Sequence, residues 1–158
     1  MKNKIIFGML FIFTLVIAIS CEKDDKWKDF QKFDSTYPVC GQYSVSWTLA
    51  GVPQGDPTIL SVYNSSKGDG IWIDDNKHFW SFKVKANLSG SNFSVYKGFD
   101  EYYDYSTTIT KGSVTTKTGT NSLGEEITYE YFYMEIEWAS SPGDVFICQG
   151  RRQTGFEE

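Results

Sequence analysis

The sequence holds a single histidine, His78, three cysteines and four prolines, and no Gly-x-Ser-x-Gly elbow occurs anywhere in its 158 residues. One histidine excludes a multi-histidine metal site and leaves little room for a Ser-His-Asp triad. Basic charge is also scarce: 15 Lys and Arg stand against 20 Asp and Glu, a net charge of −5, and no basic run is longer than Arg151-Arg152. Nucleic-acid binding works by neutralising phosphates, so that class is excluded. Aromatics are abundant instead, with five Trp, ten Tyr and twelve Phe making 17% of the chain. A disordered chain cannot carry so much apolar surface, so a folded core is expected, and the length suits one domain.

Long apolar runs are confined to the start. Lys2 and Lys4 precede fifteen residues from Ile5 to Ile19 interrupted only by Gly8 and Thr14. A spanning helix needs roughly twenty apolar residues, so residues 1–20 read as a signal peptide rather than as fold. Ala18-Ile19-Ser20-Cys21 resembles the bacterial lipobox, which implies diacylation of Cys21 with palmitate-like chains. After cleavage 13 basic side chains remain against 20 acidic, a charge of −7. Anionic membrane surfaces repel such a chain, so attachment falls to the acyl chains, at about 0.8 kcal/mol per buried CH₂. The cluster Glu22-Lys23-Asp24-Asp25 is similar to the export signal that carries lipoproteins of Bacteroidota to the outer face of the outer membrane. Residues 21–39 are expected to form a tether, with Trp27, Phe30 and Phe33 spaced for a short helical turn. Within it, Asp34-Ser35-Thr36 is similar to an O-glycosylation acceptor of exported Bacteroidota proteins.

With Cys21 assigned to lipid, Cys40 and Cys148 are left as a pair in an oxidising compartment, where a disulfide is expected. It would close a loop of about 100 residues and add about 4.7 kcal/mol on the chain-entropy estimate. Two buried free thiols are the alternative. Neither cysteine has a partner at zinc-ligand spacing.

From residue 40 to 158 short β-rich runs alternate with Gly, Asn, Asp and Ser. Strands are expected near 41–50, 58–65, 70–74, 79–88, 92–97, 104–111, 112–119, 126–138 and 144–151, with turns at Asp74–Lys77, Lys111-Gly112 and Ser122–Gly124. Tyr43, Val45, Trp47 and Leu49 alternate with Ser44, Ser46 and Thr48. Trp80, Phe82, Val84, Ala86 and Leu88 alternate with Ser81, Lys83, Lys85 and Asn87. Phe132, Met134, Ile136 and Trp138 oppose Tyr129, Tyr131, Tyr133, Glu135 and Glu137, so both faces of that strand carry aromatics. Period-two alternation of this kind is the mark of a sheet with one buried face. Short connections imply antiparallel neighbours, and unpaired edges favour a closed meander or a sandwich; a Cys40–Cys148 bridge would bring the first and last strands together and so chooses the barrel. The expected fold is therefore all-β, an antiparallel up-and-down barrel of about eight strands. If Cys40 and Cys148 face each other, Tyr43, Val45 and Trp47 share a face with Val145, Ile147 and Arg151.

Gly41-Gln42-Tyr43 opening the first strand and Arg151 ending the last resemble the calycin signature of Gly-x-Trp and a closing Arg, with Tyr43 in place of Trp. The resemblance implies a lipocalin-like barrel in which Arg151 packs across Tyr43 and caps the closed end. The wider sequence resembles a Bacteroidota family of lipid-binding putative hydrolases, a calycin-like group of small lipoproteins. The matching stretches are Ile71-Trp72-Ile73-Asp74-Asp75, Phe79-Trp80-Ser81-Phe82-Lys83-Val84-Lys85, and the tail from Gly150 to Phe156. A histidine that the family usually carries near its Arg pair is missing here.

The residues name no catalyst. His78 beside a turn reads as solvated, and Glu135 and Glu137, about 7 Å apart along one strand face, read as solubilising charges. No catalytic residue, metal or cofactor is expected. Trp47, Trp80, Phe82, Phe132, Met134 and Trp138 share the apolar parities and are expected to face the interior, either as a packed core or as the lining of a pocket for one small apolar ligand. Arg151 has a second reading, as partner to a fatty-acid carboxylate. The segment Gly98-Phe99-Asp100-Glu101-Tyr102-Tyr103-Asp104-Tyr105 mixes rings with acidic acceptors and suits either glycan stacking or a gate at the barrel mouth. The expectation is a monomeric lipoprotein anchored in the outer membrane, on either its cell-surface or its inner leaflet, that binds a lipid or fatty acid without turning it over. Glycan binding or protein interaction through exposed aromatics is the alternative.

Overall fold

Period-two alternation becomes, in three dimensions, an inside and an outside. The computed structural model describes residues 38–121 and 123–153. The regular elements among them are all strands: β1 (Gly41–Leu49), β2 (Val52–Pro53), β3 (Thr58–Asn64), β4 (Ile71–Asp74), β5 (Lys83–Ser89), β6 (Asn92–Phe99), β7 (Ser106–Thr120), β8 (Glu126–Trp138) and β9 (Phe146–Arg152). Each pairs antiparallel with its neighbour in the order β2-β1-β3-β4-β5-β6-β7-β8-β9, and β1 also pairs with β9. The sheet is thus a closed, eight-stranded, calycin-like barrel with one short extra strand, as expected. Its interior is a single buried core that includes Tyr43, Leu60, Ile73, Val84, Ile109 and Ile136. A closed sheet around its own core is a folding unit in its own right. The signal segment, Cys21, the proposed turn at Trp27, Phe30 and Phe33, and the Asp34-Ser35-Thr36 motif lie outside the described residues.

Two strand expectations are corrected. Lys111-Gly112 is no turn: β7 runs through it as one fifteen-residue strand, with the register against β8 shifting between Ile109 and Lys111. Glycine is required there because the Phe93 ring lies over it, and a Cβ would come 2.1 Å from that ring. The expected strand 79–88 begins only at Lys83, because a buried carboxylate takes up the backbone of residues 79–82, as described below.

The barrel seam corrects two more. Across β1 and β9, Tyr43 faces Arg152 and Trp47 faces Cys148. Cys40 therefore lies seven positions along β1 from the residue opposite Cys148. At about 3.3 Å per residue that is roughly 23 Å, far beyond the ~7 Å Cα limit for a disulfide. Both thiols are free, Cys148 fully buried and Cys40 partly so. Burial pushes both thiols above the usual cysteine range, for Cys148 with help from Asp75. A register one residue away from the expected parity turns every β9 side chain over. Phe146 and Cys148 face inward, while Val145 is exposed.

The closing arginine is accordingly Arg152 and not Arg151. Arg152 donates to Pro38 O at 2.8 Å, to Cys40 O at 2.5 Å and to Tyr43 Oη at 3.2 Å, and it pairs with Glu130 at 2.6 Å. Tyr43 in turn donates to Val39 O at 2.7 Å. Gly41 leaves room for the guanidinium, since a Cβ there would sit 2.9 Å from Arg152 Nε. Arg151 is exposed, its guanidinium 4.1 Å above the Tyr129 ring on the outer face. Arg152→Ala is expected to cost about 2 kcal/mol, the value of charge-assisted bonds to carbonyls that are otherwise left unmet. Arg151→Ala should cost about 0.5 kcal/mol, in line with an exposed cation–π contact. Urea denaturation of the pair checks this, and equal effects would overturn the assignment.

Candidate functional site: the aromatic end of the barrel

Antiparallel order gathers the loops 50–57, 75–82, 100–105 and 139–145 at the end of the barrel opposite Arg152. The loop 75–82 is built around Asp75, which is fully buried. Its Oδ1 accepts from the backbone N–H groups of Lys77 at 2.9 Å and Phe82 at 3.0 Å. Its Oδ2 accepts from Phe79 at 3.2 Å, Trp80 at 2.8 Å and Ser81 at 2.7 Å. Five donors on one carboxylate outweigh the ladder bonds these residues would make in a strand. The loop also bends through left-handed backbone at Asn76, Lys77 and Ser81 (φ 53°, 62° and 57°). Non-glycine residues hold such angles only where their surroundings impose them.

This backbone delivers two rings into the barrel mouth. Phe79 stacks on Trp47 with centroids 4.4 Å apart and planes at 10°, and Trp80 stacks on Trp138 at 5.2 Å and 19°. Phe82 and Phe146 meet Trp138 edge-on at 5.6 and 5.1 Å. Both Phe79 and Trp80 are partly exposed, whereas Trp47, Phe82 and Trp138 are buried. The two interior indoles differ in one respect: Trp47 Nε1 donates to Thr58 Oγ1 at 2.9 Å, but the buried Trp138 Nε1 finds no acceptor among the described residues. An unmet buried donor costs about 1–3 kcal/mol.

Two further carboxylates organise the neighbouring loops. Asp100, fully buried, accepts from the N–H of Tyr102 at 2.9 Å and of Tyr103 at 3.3 Å, and burial raises its pKa. Asp74 accepts from the hydroxyls of Tyr102 at 2.9 Å and Tyr63 at 3.2 Å. Both phenols are pushed up to about 12, first by burial and then by the Asp74 carboxylate beside them. Tyr105 also stands at about 12, through burial and then Asp100. The cations at this end sit outside: Lys77 lies 4.8 Å over Tyr102, and Lys83 lies 5.1 Å over Trp72 and 5.9 Å over Tyr63.

The six residues expected inside are all in the core or packed against it, but they divide into two groups. Trp47, Trp80, Phe82 and Trp138 form the aromatic end. Phe132 stands apart with Tyr43 at 5.0 Å and Phe93 at 5.3 Å, and Met134 pairs with Cys148 and Gly112 between the two groups. Sequence reasoning missed Phe79, Phe146 and Asp75. Phe79 falls on the polar parity of a strand that the chain does not form there, and Phe146 was hidden by the one-residue register. The signal for Asp75 was present, as an Asp-Asp-Asn turn separated from a ring pair by only Lys77 and His78. Tyr102 is turned onto Asp74, while Tyr103 and Tyr105 stack on each other at 5.5 Å with Tyr103 half exposed. His78 is exposed, its Nδ1 3.3 Å from Ile59 O. Glu135 is tied to Lys111 at 2.9 Å and to the Tyr133 hydroxyl at 2.8 Å, which holds its carboxyl below the usual range. Glu137 accepts from Gly143 N–H at 3.0 Å.

A closed calycin-like barrel with an aromatic interior and a ring-bearing loop in its mouth defines the class of protein. The chain belongs to the lipid-binding putative hydrolase family, whose sequence model matches residues 28–157. No curated protein matches the chain.

Proposed function

We propose that this protein binds a small apolar ligand, a lipid or fatty acid, in the aromatic end of the barrel, and that it does so without catalysis. The observation that carries the reading is the origin of Phe79 and Trp80. They fill the mouth from a loop whose backbone is pinned by Asp75 and not by the sheet. Their side chains can rotate outward, exposing Trp47 and Trp138, while every strand pairing stays intact. Membership of a lipid-binding family supports the same reading. In the full reading Cys21 carries the acyl chains and holds a monomeric barrel at the outer membrane, where the ligand is met.

The test uses the unit Asp34–Glu158, purified from cells without refolding, and native mass spectrometry with lipid extraction. A near-stoichiometric apolar molecule is expected to co-purify. The neutral dye N-phenyl-1-naphthylamine is expected to bind saturably, and about tenfold tighter to the Phe79→Ala/Trp80→Ala variant, because the plugging rings no longer compete. A clean apo mass with no saturable dye binding would sink the reading. It would move the weight to glycan binding at the half-exposed Tyr103–Tyr105 pair. For the anchor, Cys21→Ala is expected to release the chain from the membrane fraction, and an unchanged distribution would refute lipidation.

A further inference from the structure

We infer that the ligand of the aromatic end carries an uncharged hydrogen-bond acceptor, an ester, ketone or amide oxygen, that is held by Trp138 Nε1. This rests on the apolar-pocket reading above and specifies its ligand.

Trp138 is fully buried at the centre of the ring cluster, in contact with Trp47, Phe79, Trp80, Phe82 and Phe146. Its indole N–H nevertheless has no acceptor among the described residues, while the neighbouring indole of Trp47 has one in Thr58. Buried donors in native proteins are met in the great majority of cases, so an unmet one calls for a cause, and a group that arrives from outside supplies it. Trp80 lies flat on Trp138, so the ring that must turn out to admit a ligand is the ring that uncovers this indole. A hydrocarbon placed there leaves the donor unmet. A ligand with an oxygen acceptor meets it.

Charge selects among acceptors. Asp75 and Asp100 are fully buried at this end, whereas Asp74 lies on the outer face against the Tyr63 and Tyr102 hydroxyls. The nearby ammonium groups of Lys77 and Lys83 lie on outer-face rings. An anionic headgroup brought to Trp138 would enter a region of buried negative charge with no inward-facing cation among the described residues to pair it, which is costly at low dielectric. A neutral acyl ester or ketone therefore fits, and a free carboxylate does not.

The experiment compares methyl palmitate, hexadecane and palmitate on the Asp34–Glu158 unit at pH 8, by competition in native mass spectrometry. The indole N–H resonances are followed in parallel in the ¹⁵N-labelled protein. The ester is expected to bind about tenfold tighter than either the alkane or the anion, the worth of one buried hydrogen bond. Trp138→Phe, which removes the donor, should abolish that advantage and leave ester and hexadecane at equal affinity in the variant. In the unsubstituted protein the Trp138 N–H should move downfield with the ester and not with the alkane. Equal binding of ester and alkane with an unmoved Trp138 resonance overturns the acceptor inference but leaves the apolar pocket standing. Tighter binding of palmitate than of the ester overturns the choice of an uncharged group. No binding of any probe overturns both readings.

Discussion

Replacing Asp75 with alanine is expected to destabilise the barrel by about 3 kcal/mol and to lower its melting temperature by roughly 10 °C. The carboxylate accepts five backbone N–H groups, from Lys77, Phe79, Trp80, Ser81 and Phe82, at 2.7 to 3.2 Å. Alanine would leave those donors unmet beneath a ring cluster where water reaches them poorly. The loop would lose its shape, and the stacked pairs Phe79–Trp47 and Trp80–Trp138 would separate with it. Each such pair is worth about 0.5–1.5 kcal/mol beyond its buried area. Near-ultraviolet circular dichroism, which reads coupled indoles, should therefore fall together with stability. Asp75→Asn keeps one acceptor oxygen and turns an N–H₂ toward the remaining donors, so about half the loss is expected. A cost below about 1 kcal/mol for alanine, with the aromatic dichroism intact, would show that the loop is held by its rings rather than by the carboxylate.

Gly150→Ala is expected to cost at least about 3 kcal/mol, at the upper end of overpacking effects. A Cβ on Gly150 would lie 1.8 Å from Ser44 O and 2.7 Å from both Ser44 C and Val45 Cα. These are backbone atoms of β1, so no side chain can rotate to make room and the β1–β9 seam must part. Parting it creates two open edges, and unpaired edges promote association. Accelerated amide exchange along β1 and β9, with exchange in the β7–β8 ribbon little changed, is the specific signature. Gly143→Ala serves as the control: it has open space around it but a φ of 88°. Its cost, about 1 kcal/mol, comes from the left-handed backbone alone. Equal losses at the two positions would mean that the seam has more slack than its geometry shows.

These two positions mark how far the sequence could be read. Asp75 was legible only as a turn residue, because its role depends on four successive N–H groups, from Phe79 to Phe82, curling back onto it. The apolar and polar residues of 80–88 alternate as cleanly as any strand, and local pattern gives no reason to shorten the strand. The energy of a five-donor carboxylate is local to the folded loop and leaves no periodic trace. Phe79 and Trp80 could be recognised as large apolar residues, but not as a plug delivered from outside the sheet. At Lys111-Gly112 the glycine was visible and its cause was not. It makes room for Phe93, a residue on the neighbouring strand, and has nothing to do with a turn.

The chain's own composition and alternation determined the all-β class, the antiparallel order, most of the strands in outline and most of the interior. These follow from which side chains avoid water, and a period of two records that directly. Closure, expected through a disulfide that does not form, is made by the β1–β9 ladder. Tertiary structure decided the register of β9 on β1, and with it the freedom of both cysteines and the choice of Arg152 over its neighbour. Both registers keep a plausible apolar face in the sequence, Val145 and Ile147 in one and Phe146 and Cys148 in the other. Only packing inside a closed barrel of fixed circumference, where the Phe146 ring joins Trp138 and Gly150 lies against the backbone of Ser44, distinguishes them.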